Sequence, residues 1–470
     1  MDRAAFFENG FLSKFGYEPT ACQARLFHTM GEFLAGDDAD ILVVNGYAGT
    51  GKTSALAAVI NSLKDYDIAS VLLAPTGRAA KVLSSFAGAP AQTIHKCIYR
   101  QKSVSSEGVG HFTLNPNKSR STLFVVDEAS LIGTDALPEN SSSIFGSGNL
   151  LDDLISYVRA GDDCRLVLVG DSAQLPPVGM DESPALARGY ISAYGGVMFE
   201  ELSTVVRQAE SSGILRNATA IRSDLFAGSL KIDLRGCDDL ERVSGEQLID
   251  VIGSAYDTYG EDETIVLCRS NKKAIRYNLG IRSTVQFKEE RLLRGDKLMV
   301  VKNCYQFLGQ DSKMGYMANG DIAKLCRIGG YEERYGLHFA DAVLSFPDYD
   351  DEQVNAKVCL DTLESESASL SAQQQNALYR GVDEDYADIK SKRKRYNAVR
   401  EDPYYNALQL KYAQAVTCHK SQGGQWKCVF IDCPFWMPEQ SPDDLKWLYT
   451  ALTRAVEKVY LVNFPDRFFV

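Results

Sequence analysis

Residues 41–53 read Ile-Leu-Val-Val-Asn-Gly-Tyr-Ala-Gly-Thr-Gly-Lys-Thr, an apolar run that leads straight into a glycine-rich loop. The run has the continuous apolar character of a strand that is buried on both faces, and a helix is predicted from Lys52 to Leu63. Residues 46–53 match the pattern G-x-x-x-x-G-K-[ST] at every position. Between a strand and a helix, this pattern forms a loop that cradles phosphate, because its backbone N–H groups and the helix N-terminus point at the anion.

The pattern of the loop predicts which of its residues contact the phosphates and the cation. Lys52 is placed to reach the β- and γ-phosphates of a nucleoside triphosphate, and the Thr53 hydroxyl is placed to bind Mg²⁺. Further contacts with the nucleotide are expected from Gly46, Ala48, Gly49, Thr50 and Gly51. ATP and Mg²⁺ are therefore the predicted cofactors. The alternative is a structural glycine turn, which would not require both flanking elements to be correct.

Two later strand ends carry groups that suit hydrolysis. Residues 123–128 end an apolar run with Asp127, predicted to hold Mg²⁺ through its hydration shell, and Glu128, predicted to activate the attacking water. Gln174 follows the apolar run 166–169 and can hydrogen-bond both a γ-phosphate and a water. The alternative for each is a polar turn at the end of a strand, but the phosphate loop favours the catalytic interpretation.

Apolar runs continue along the chain in two sets. Runs at 71–74, 123–126 and 166–169 alternate with helical patterns, which predicts a doubly wound α/β domain. A second set follows a division near residue 210, with runs at 264–268, 297–301, 427–431 and 458–462. The sequence therefore predicts an α/β fold with two parallel-sheet halves.

The composition excludes several classes of protein. With 470 residues, 45% hydrophobic and 24% charged, the chain can bury a large core and is not disordered. The net charge of −12 argues against coating nucleic acid through bulk positive charge, yet it permits a local basic groove. Eleven cysteines without a CxxC pair indicate reduced thiols. Neither a membrane helix of roughly 18 apolar residues nor a signal peptide is recognised, so we expect a soluble, cytoplasmic protein without a membrane partner.

Further blocks carry a family resemblance. They lie at 74–81 (Ala-Pro-Thr-Gly-Arg-Ala-Ala-Lys), 93–95 (Thr-Ile-His), 206–208 (Val-Arg-Gln), 416–423 (Val-Thr-Cys-His-Lys-Ser-Gln-Gly) and 449–455 (Tyr-Thr-Ala-Leu-Thr-Arg-Ala). In this order, and together with the blocks above, they resemble the motifs of the superfamily-one helicases, in particular the branch of RecD, Dda and the Pif-type enzymes. The resemblance runs from about residue 17 to 465 and is weak across 322–410.

The resemblance implies a particular domain organisation. It implies two RecA-like, doubly wound parallel-sheet motor domains, a small β-hairpin insertion and an SH3-like, β-rich insertion. The expected boundaries are 1–210 for the first motor domain with its hairpin at about 98–121, 211–321 together with 411–470 for the second motor domain, and 322–410 for the SH3-like subdomain. The size resembles the compact motor of Dda; we expect a monomer, and no protein partner is indicated.

The resemblance also implies roles around the nucleotide. Gln23 stands where the family has a glutamine for adenine. Gly423 and Gln425 are expected beside the nucleotide, although the family more usually has glutamate at the position of Gln425. Arg207 and Arg454 are expected to reach the transferring phosphoryl group across the cleft between the motor domains, which would make hydrolysis depend on cleft closure. Outside the motif context, each arginine would be interpreted as a solvated surface residue.

Polar groups at strand ends are implied to contact the phosphates and sugars of nucleic acid, which makes binding independent of base sequence. These residues are Pro75, Thr76, Gly77, Lys81, Thr93, His95, Thr417, His419 and Lys420. For the two histidines, the alternative is a satisfied, partly buried side chain. Phe112 in the hairpin is predicted to stack on bases as a wedge, or else to be an exposed aromatic residue in a solvated loop. The basic run at 390–395 either grips the strand or forms a solvated face.

The sequence therefore predicts an ATP- and Mg²⁺-dependent DNA helicase that translocates 5′→3′ on single-stranded DNA and unwinds duplex junctions. The direction is implied by the family resemblance alone. One alternative is an RNA helicase of the related Upf-like branch, because contacts with a 2′-hydroxyl cannot be recognised in a sequence. Another is a nucleotide-gated clamp that binds a single strand without unwinding. Glu128, Gln174, Arg207 and Arg454 argue against the clamp, because a protein without turnover need not keep the whole set.

Overall fold

The structure is a computed structural model that describes residues 3–104, 110–134, 143–206, 212–225, 230–309, 312, 314, 316–435 and 439–470, without the side chains of 101–104, 110–111 and 143–144. Within these residues, the fold contains two parallel sheets with flanking helices, a small closed barrel and a small three-stranded sheet. The predicted α/β class is therefore confirmed. In the described part of the chain, every helix is too short or too polar to cross a lipid bilayer.

The first domain contains the apolar runs that the sequence marks as buried strands. The strands of this region are β1 (Ile41–Gly46), β2 (Ala69–Ala74), β3 (Ala91–Thr93), β4 (Tyr99–Val104), β5 (Gly110–Leu114), β6 (Thr122–Val126), β7 (Ser143–Phe145), β8 (Arg165–Gly170) and β9 (Val197–Leu202). Its helices are α1 (Arg3–Phe15), α2 (Ala21–Ala35), α3 (Lys52–Leu63), α4 (Gly77–Ala87), α5 (Ile94–Ile98), α6 (Leu150–Arg159) and α7 (Arg188–Ile191). Every residue of β6 is buried, as expected of a strand covered on both faces.

The order of the first sheet places three functional segments at one edge. The sheet runs β3-β2-β6-β8-β1-β9, and all of its strand pairs are parallel. The carboxyl ends of β6, β8 and β1 therefore lie side by side, the position at which open α/β sheets bind ligands. The acidic pair 127–128, the segment 171–174 and the phosphate loop 46–53 follow these strands in that order across the sheet.

A hairpin stands between α5 and β6, inside the range predicted for it. Strand β4 pairs with β5 in antiparallel orientation, and β7 pairs with β5 in parallel orientation. Residues 105–109 of the predicted hairpin lie outside the described residues.

The second domain and the barrel share the rest of the chain. Their strands are β10 (Leu240–Val243), β11 (Thr264–Cys268), β12 (Lys297–Val300), β13 (Ile322–Arg334), β14 (Leu337–Phe346), β15 (Glu352–Cys359), β16 (Leu408–Tyr412), β17 (Ala415–Thr417), β18 (Trp426–Asp432) and β19 (Ala455–Val462). Their helices are α8 (Gly213–Ser223), α9 (Leu248–Tyr259), α10 (Asn271–Gly280), α11 (Ala372–Asp385), α12 (Lys392–Glu401), α13 (Cys418–Ser421) and α14 (Pro442–Leu452). The second sheet is parallel in the order β10-β19-β18-β11-β17.

The closed barrel begins earlier than the sequence predicts. It consists of β12 to β16, so residues 297–300 do not join the second sheet, and the module extends beyond the expected boundaries of 322 and 410 at both ends. Leu298 and Val300 fill the barrel, whereas Met299 packs into the core of the second domain. Because both faces of β12 are buried, residues 298–301 are continuously apolar and resemble a parallel strand. The likeness of this barrel to an SH3 module stays a prediction.

Candidate functional site

The phosphate loop connects β1 to α3 with tight backbone geometry. Gly49 and Gly51 have φ angles of +75° and +74°, in the left-handed region that favours glycine. A Cβ atom on Gly51 would lie 2.5 Å from Nε2 of Gln23, and one on Gly46 would lie 2.5 Å from side-chain carbons of Lys52. The backbone conformation of the loop therefore favours glycine at 49 and 51, and neighbouring side chains leave little room for a Cβ atom at 46 and 51.

The lysine of the loop folds back over the loop itself. Its Nζ donates to the carbonyl groups of Gly46 and Tyr47, the latter at 3.0 Å. The same Nζ lies 4.0 Å from Oδ2 of Asp171, at the end of β8. Thr53 follows Lys52 in the first turn of α3 and is partly exposed. The loop thus presents an amine and a hydroxyl next to a carboxylate, as a site for phosphate and a divalent cation requires.

The acidic pair lies at the end of β6. Oδ1 of Asp127 accepts the backbone N–H of Glu128 at 2.8 Å, and the backbone of Glu128 is in the left-handed region at φ +55°. Burial, followed by the charge of Glu128, raises the pKa of Asp127 to about 6. A divalent cation at this position would reverse that shift, because it favours the ionised carboxylate.

Gln174 has the side chain that a nucleotide sensor needs. It is 6% exposed, and its Oε1 atom is buried without a hydrogen-bond partner in the described part of the chain. A buried acceptor without a partner costs about 1–3 kcal/mol, so the geometry favours a donor supplied by a ligand or a water. The amide can donate to a phosphate while Oε1 accepts from a water.

Arg454 reaches the acidic pair from the second domain. It is 3% exposed, and its Nη1 lies 3.7 Å from Oε1 of Glu128. Its Nε donates to the carbonyl of Thr450 at 3.2 Å and its Nη1 to the carbonyl of Gly424 at 3.3 Å. The structure therefore brings the predicted water-activating carboxylate and one predicted arginine together across the domain boundary. The other predicted arginine, Arg207, lies outside the described residues.

Gln23 lies at the phosphate loop, where its amide already makes two hydrogen bonds. Its Oε1 accepts the backbone N–H of Thr20 at 2.9 Å, which completes a capping box for α2. Its Nε2 donates to the carbonyl of Thr50 at 3.0 Å, and the Thr50 hydroxyl donates to the carbonyl of Tyr47 at 2.7 Å. The side chain thereby clamps α2 to the loop, and its contact with adenine stays a prediction.

The contacts described for Gly423 and Gln425 are with α4 of the first domain. A Cβ atom on Gly423, which has φ +74°, would lie 3.0 Å from Oγ1 of Thr76. The carbonyl of Gln425 accepts from Nη2 of Arg78 at 3.0 Å, and its side chain is exposed. These two residues therefore contact the motif that is predicted to bind nucleic acid, and their contact with the nucleotide stays a prediction.

The predicted nucleic-acid threonines lie at or just after the carboxyl ends of strands: Thr93 ends β3, Thr417 ends β17, and Thr76 follows β2 by two residues. The hydroxyl of Thr76 caps α4 by accepting from the Ala79 N–H at 3.2 Å, and that of Thr93 caps α5 by accepting from the Lys96 N–H at 3.3 Å. Thr417 precedes α13 without such a cap bond and is partly exposed. Of the three described threonine hydroxyls, that of Thr417 therefore makes no helix-capping hydrogen bond.

The barrel covers part of the same surface. Lys81 of α4 donates to the carbonyl of Pro347, and its Nζ lies 3.6 Å from Oδ1 of Asp348. A Cβ atom on Gly77 would collide with the hydroxyl of Tyr349. Pro75, just before the cap residue, is partly exposed. The turn at 347–349 therefore lies directly on the start of α4.

The two predicted histidines have different surroundings. The ring of His95 packs against Tyr99 at 5.6 Å and edge-on against Phe145 at 5.1 Å between ring centroids. Burial lowers the pKa of His95 to about 4, so the ring is neutral at pH 7. His419 is exposed at the rim of the second domain, where desolvation and the charge of Arg269 lower its pKa. His95 thus matches the alternative of a packed histidine.

Lys420 has a basic neighbour that the sequence motifs do not include. Burial, and then the charge of Lys411, lowers the pKa of Lys420 to about 8. Burial lowers the pKa of Lys411 to about 8 as well, and its Nζ donates to the carbonyl of Ser365. Lys411 was missed because it lies outside the recognised motif, in a strand of the barrel.

Phe112 of the hairpin is partly buried and packs against other aromatic side chains. Its ring stacks on Phe145 with centroids 4.5 Å apart and an interplanar angle of 20°, and it lies 5.2 Å from the ring of Tyr305. Tyr305 belongs to the segment between β12 and β13. Phe112 therefore joins the hairpin to the segment that enters the barrel, which contradicts the alternative of an exposed aromatic residue in a solvated loop. Its stacking on bases as a wedge stays a prediction.

We expect Phe112→Ala to lower the rate of strand separation about fivefold, since loss of aromatic packing would loosen the hairpin. ATP hydrolysis stimulated by single strands should change less than about twofold, because the described ring contacts of Phe112 are with Phe145 and Tyr305, neither of which belongs to the nucleotide site. Unwinding of a fluorescent duplex and steady-state ATPase measure both effects. Phe6→Ala, at a half-exposed phenylalanine of α1, is the matched control. Equal losses of unwinding and ATPase would contradict a role of the hairpin in strand separation.

The fold and the site together define a phosphate-loop protein with two parallel α/β domains that meet at the nucleotide site. Two family models match the chain: an AAA domain over residues 27–235 and a UvrD-like helicase C-terminal domain over residues 412–462. The ATP-dependent RecD2 DNA helicase of Deinococcus radiodurans is 33% identical over 138 residues, which cover 29% of this chain and 16% of that protein. The conjugal transfer protein TraA of Rhizobium radiobacter is 28% identical over 252 residues, which cover 52% of this chain and 19% of that protein.

The chain thus spans less than a fifth of the length of these relatives. A solved structure of Pif1 helicases unwinding forked double-stranded DNA matches 97% of this chain and 94% of that chain, with a TM-score of 0.50 and 15% identity. That match shows a shared fold. With the family models and the RecD2 similarity, it confirms the predicted resemblance to superfamily-one helicases of the RecD and Pif type.

Proposed function

We propose that the chain is an ATP- and Mg²⁺-dependent DNA helicase that moves 5′→3′ along single-stranded DNA and separates duplex DNA. The observation that carries the proposal is the approach of Arg454 to Glu128 across the domain boundary, at 3.7 Å. A clamp without turnover has no need for a buried arginine from one domain beside the water-activating carboxylate of the other. The fold shared with Pif1 helicases and the partial similarity to a RecD2 DNA helicase support a DNA substrate.

The residues of the site fit ATP with Mg²⁺. Lys52 would hold the phosphates, and Thr53 and Asp127 would hold the cation. Mg²⁺ supplies charge neutralisation and the triphosphate supplies the leaving group. The unpartnered Oε1 of Gln174 is the observation that supports the fit, because a water bound there would satisfy it. Within the described ranges, no group of three or more His, Cys, Asp and Glu side chains could hold a metal ion.

The remaining steps follow from the positions of the charged side chains. Glu128 would accept a proton from the attacking water, and Arg454 would turn from Glu128 to the developing phosphoryl charge. Since Arg454 belongs to the second domain, hydrolysis would depend on contact between the two domains, and movement between the domains would be coupled to the nucleotide state. Thr76 and Thr93 in the first domain and Thr417 in the second would then approach one another, which advances a bound strand.

The direction and the substrate are tested by unwinding a short duplex that carries either a 5′ or a 3′ single-stranded tail. We expect ATP-dependent unwinding from the 5′ tail only. Unwinding from the 3′ tail would contradict the direction and leave the helicase activity in place. Unwinding restricted to a duplex with an RNA tail would favour the Upf-like alternative. ATPase stimulated by single strands without unwinding of any of these substrates would contradict the helicase proposal.

A further inference from the structure

Tyr449 of α14 connects the second domain to two elements of the nucleotide site. Its side chain is 1% exposed, and its hydroxyl accepts the backbone N–H of Ala48 at 2.9 Å and donates to Oδ2 of Asp171 at 2.7 Å. Burial and the carboxylate of Asp171 raise the pKa of Tyr449 well above its ordinary value. The phenol therefore stays neutral and can donate and accept hydrogen bonds at the same time.

Both partners of this hydroxyl belong to the phosphate-binding surface. Ala48 lies in the loop whose backbone N–H groups bind phosphate. Oδ2 of Asp171 lies 4.0 Å from Nζ of Lys52, which itself donates to carbonyl groups of the loop. In this arrangement, oxygen atoms of the protein accept hydrogen bonds from the N–H of Ala48 and from the amine of Lys52. A triphosphate bound in the loop would compete with these oxygen atoms for the same donors.

We propose that Tyr449 is a nucleotide-responsive positioning residue, whose hydroxyl competes with a phosphate oxygen of ATP for the N–H of Ala48. The proposal rests on the proposed ATPase function and adds to it a route from the nucleotide to the second domain. When phosphate takes this N–H, the hydroxyl is released from the loop and α14 is free to shift.

The neighbours of Tyr449 carry such a shift to the catalytic groups. The hydroxyl of Thr450 accepts the backbone N–H of Leu175 at 2.8 Å, next to Gln174. Nε2 of Gln422 donates to the carbonyl of Leu175 at 2.7 Å, so α13 and α14 hold the same loop. Arg454 follows shortly after the last residue of α14 and bonds to the carbonyl of Thr450. One helix therefore links the phosphate loop, the sensor loop and the arginine.

Tyr449→Phe removes the hydroxyl and keeps the ring. We expect the Kd of a non-hydrolysable ATP analogue to fall about threefold to tenfold, because the competing acceptor is lost. The KM for ATP should fall with it, while kcat at saturating ATP stays within about twofold of wild type, since the lost interaction opposes ground state and transition state alike. Fluorescence titration of the analogue and steady-state ATPase of the full chain measure the two effects.

Tyr460→Phe is the matched control. Tyr460 of β19 stacks on Phe430 with ring centroids 4.7 Å apart. Its ring packs against a different hydrophobic cluster from the one that Tyr47 and Ala48 of the phosphate loop contact. This variant should bind the analogue as the wild type does. For Tyr449→Phe, unchanged or weaker binding in a protein with the thermal midpoint of wild type would overturn the inference, as would a raised KM with a lowered kcat. A wild type that binds the analogue and unwinds no DNA would overturn the helicase proposal and leave the competition at Ala48 standing.

Discussion

Lys52→Ala is expected to lower ATP turnover by at least about 10²-fold, while single-stranded DNA binding without nucleotide persists. The amine of Lys52 is the group placed to neutralise the β- and γ-phosphates, and its loss leaves their charge unopposed in a partly buried loop. Its described contacts are with the carbonyls of Gly46 and Tyr47 and with Asp171, all at the nucleotide site. ATPase assays with and without an oligonucleotide, and fluorescence anisotropy of the oligonucleotide, measure the two activities.

The control variants separate charge, shape and folding. Lys64→Ala removes an exposed amine at the end of the same helix, whose contact is Asn61 at 3.4 Å, and should change neither activity. Lys52→Arg keeps the positive charge but replaces a compact amine by a planar guanidinium, so turnover should remain low. Loss of DNA binding together with a lowered thermal midpoint would show misfolding of Lys52→Ala. Turnover near the wild-type level would contradict the assigned nucleotide site.

The sequence correctly predicts the strands that are buried on both faces because helices cover the two sides of a parallel sheet. The runs that become β1, β6 and β8 are apolar because helices cover both faces of a parallel sheet, and their positions are predicted correctly. Residues 298–301, in and just after β12, are apolar for a different reason. One face of this strand fills the barrel, and the other face packs on the core of the second domain. Both situations produce the same hydrophobic pattern, so the pattern alone cannot separate a barrel strand from a sheet strand.

The site divides in a similar way between local and long-range features. The phosphate loop could be predicted because its chemistry is contained in residues 46–53. The contact between Tyr449 and Ala48 joins positions 401 residues apart and depends on how the two domains meet, which no local pattern encodes. The packing of His95 and Phe112 around Phe145 depends on the hairpin in the same way. Motifs therefore identify the reacting groups, and the tertiary structure decides which of them are already engaged by the protein.

Arg454→Ala is expected to lower kcat about 10³-fold with a much smaller change in the KM for ATP, as for arginines that act in the transition state of phosphoryl transfer. The guanidinium is bonded to the carbonyls of Thr450 and Gly424 and lies 3.7 Å from Oε1 of Glu128, so it is at the nucleotide site before any ligand arrives. Single-stranded DNA binding without nucleotide should persist. Steady-state kinetics with saturating oligonucleotide give kcat and KM separately.

A double variant of Arg454 and Glu128 tests the catalytic role of this contact more strictly than either single variant. Glu128→Gln removes the water-activating carboxylate and should be severely impaired by itself. If the two side chains act in one step, the double variant should lose far less than the product of the single losses, because the second substitution removes a group that the first has made ineffective. Arg467→Ala, at an exposed arginine over the ring of Phe468, is the matched control and should be active. Additive losses, or a kcat of Arg454→Ala within a few-fold of wild type, would show that Arg454 stabilises the domain contact without taking part in hydrolysis.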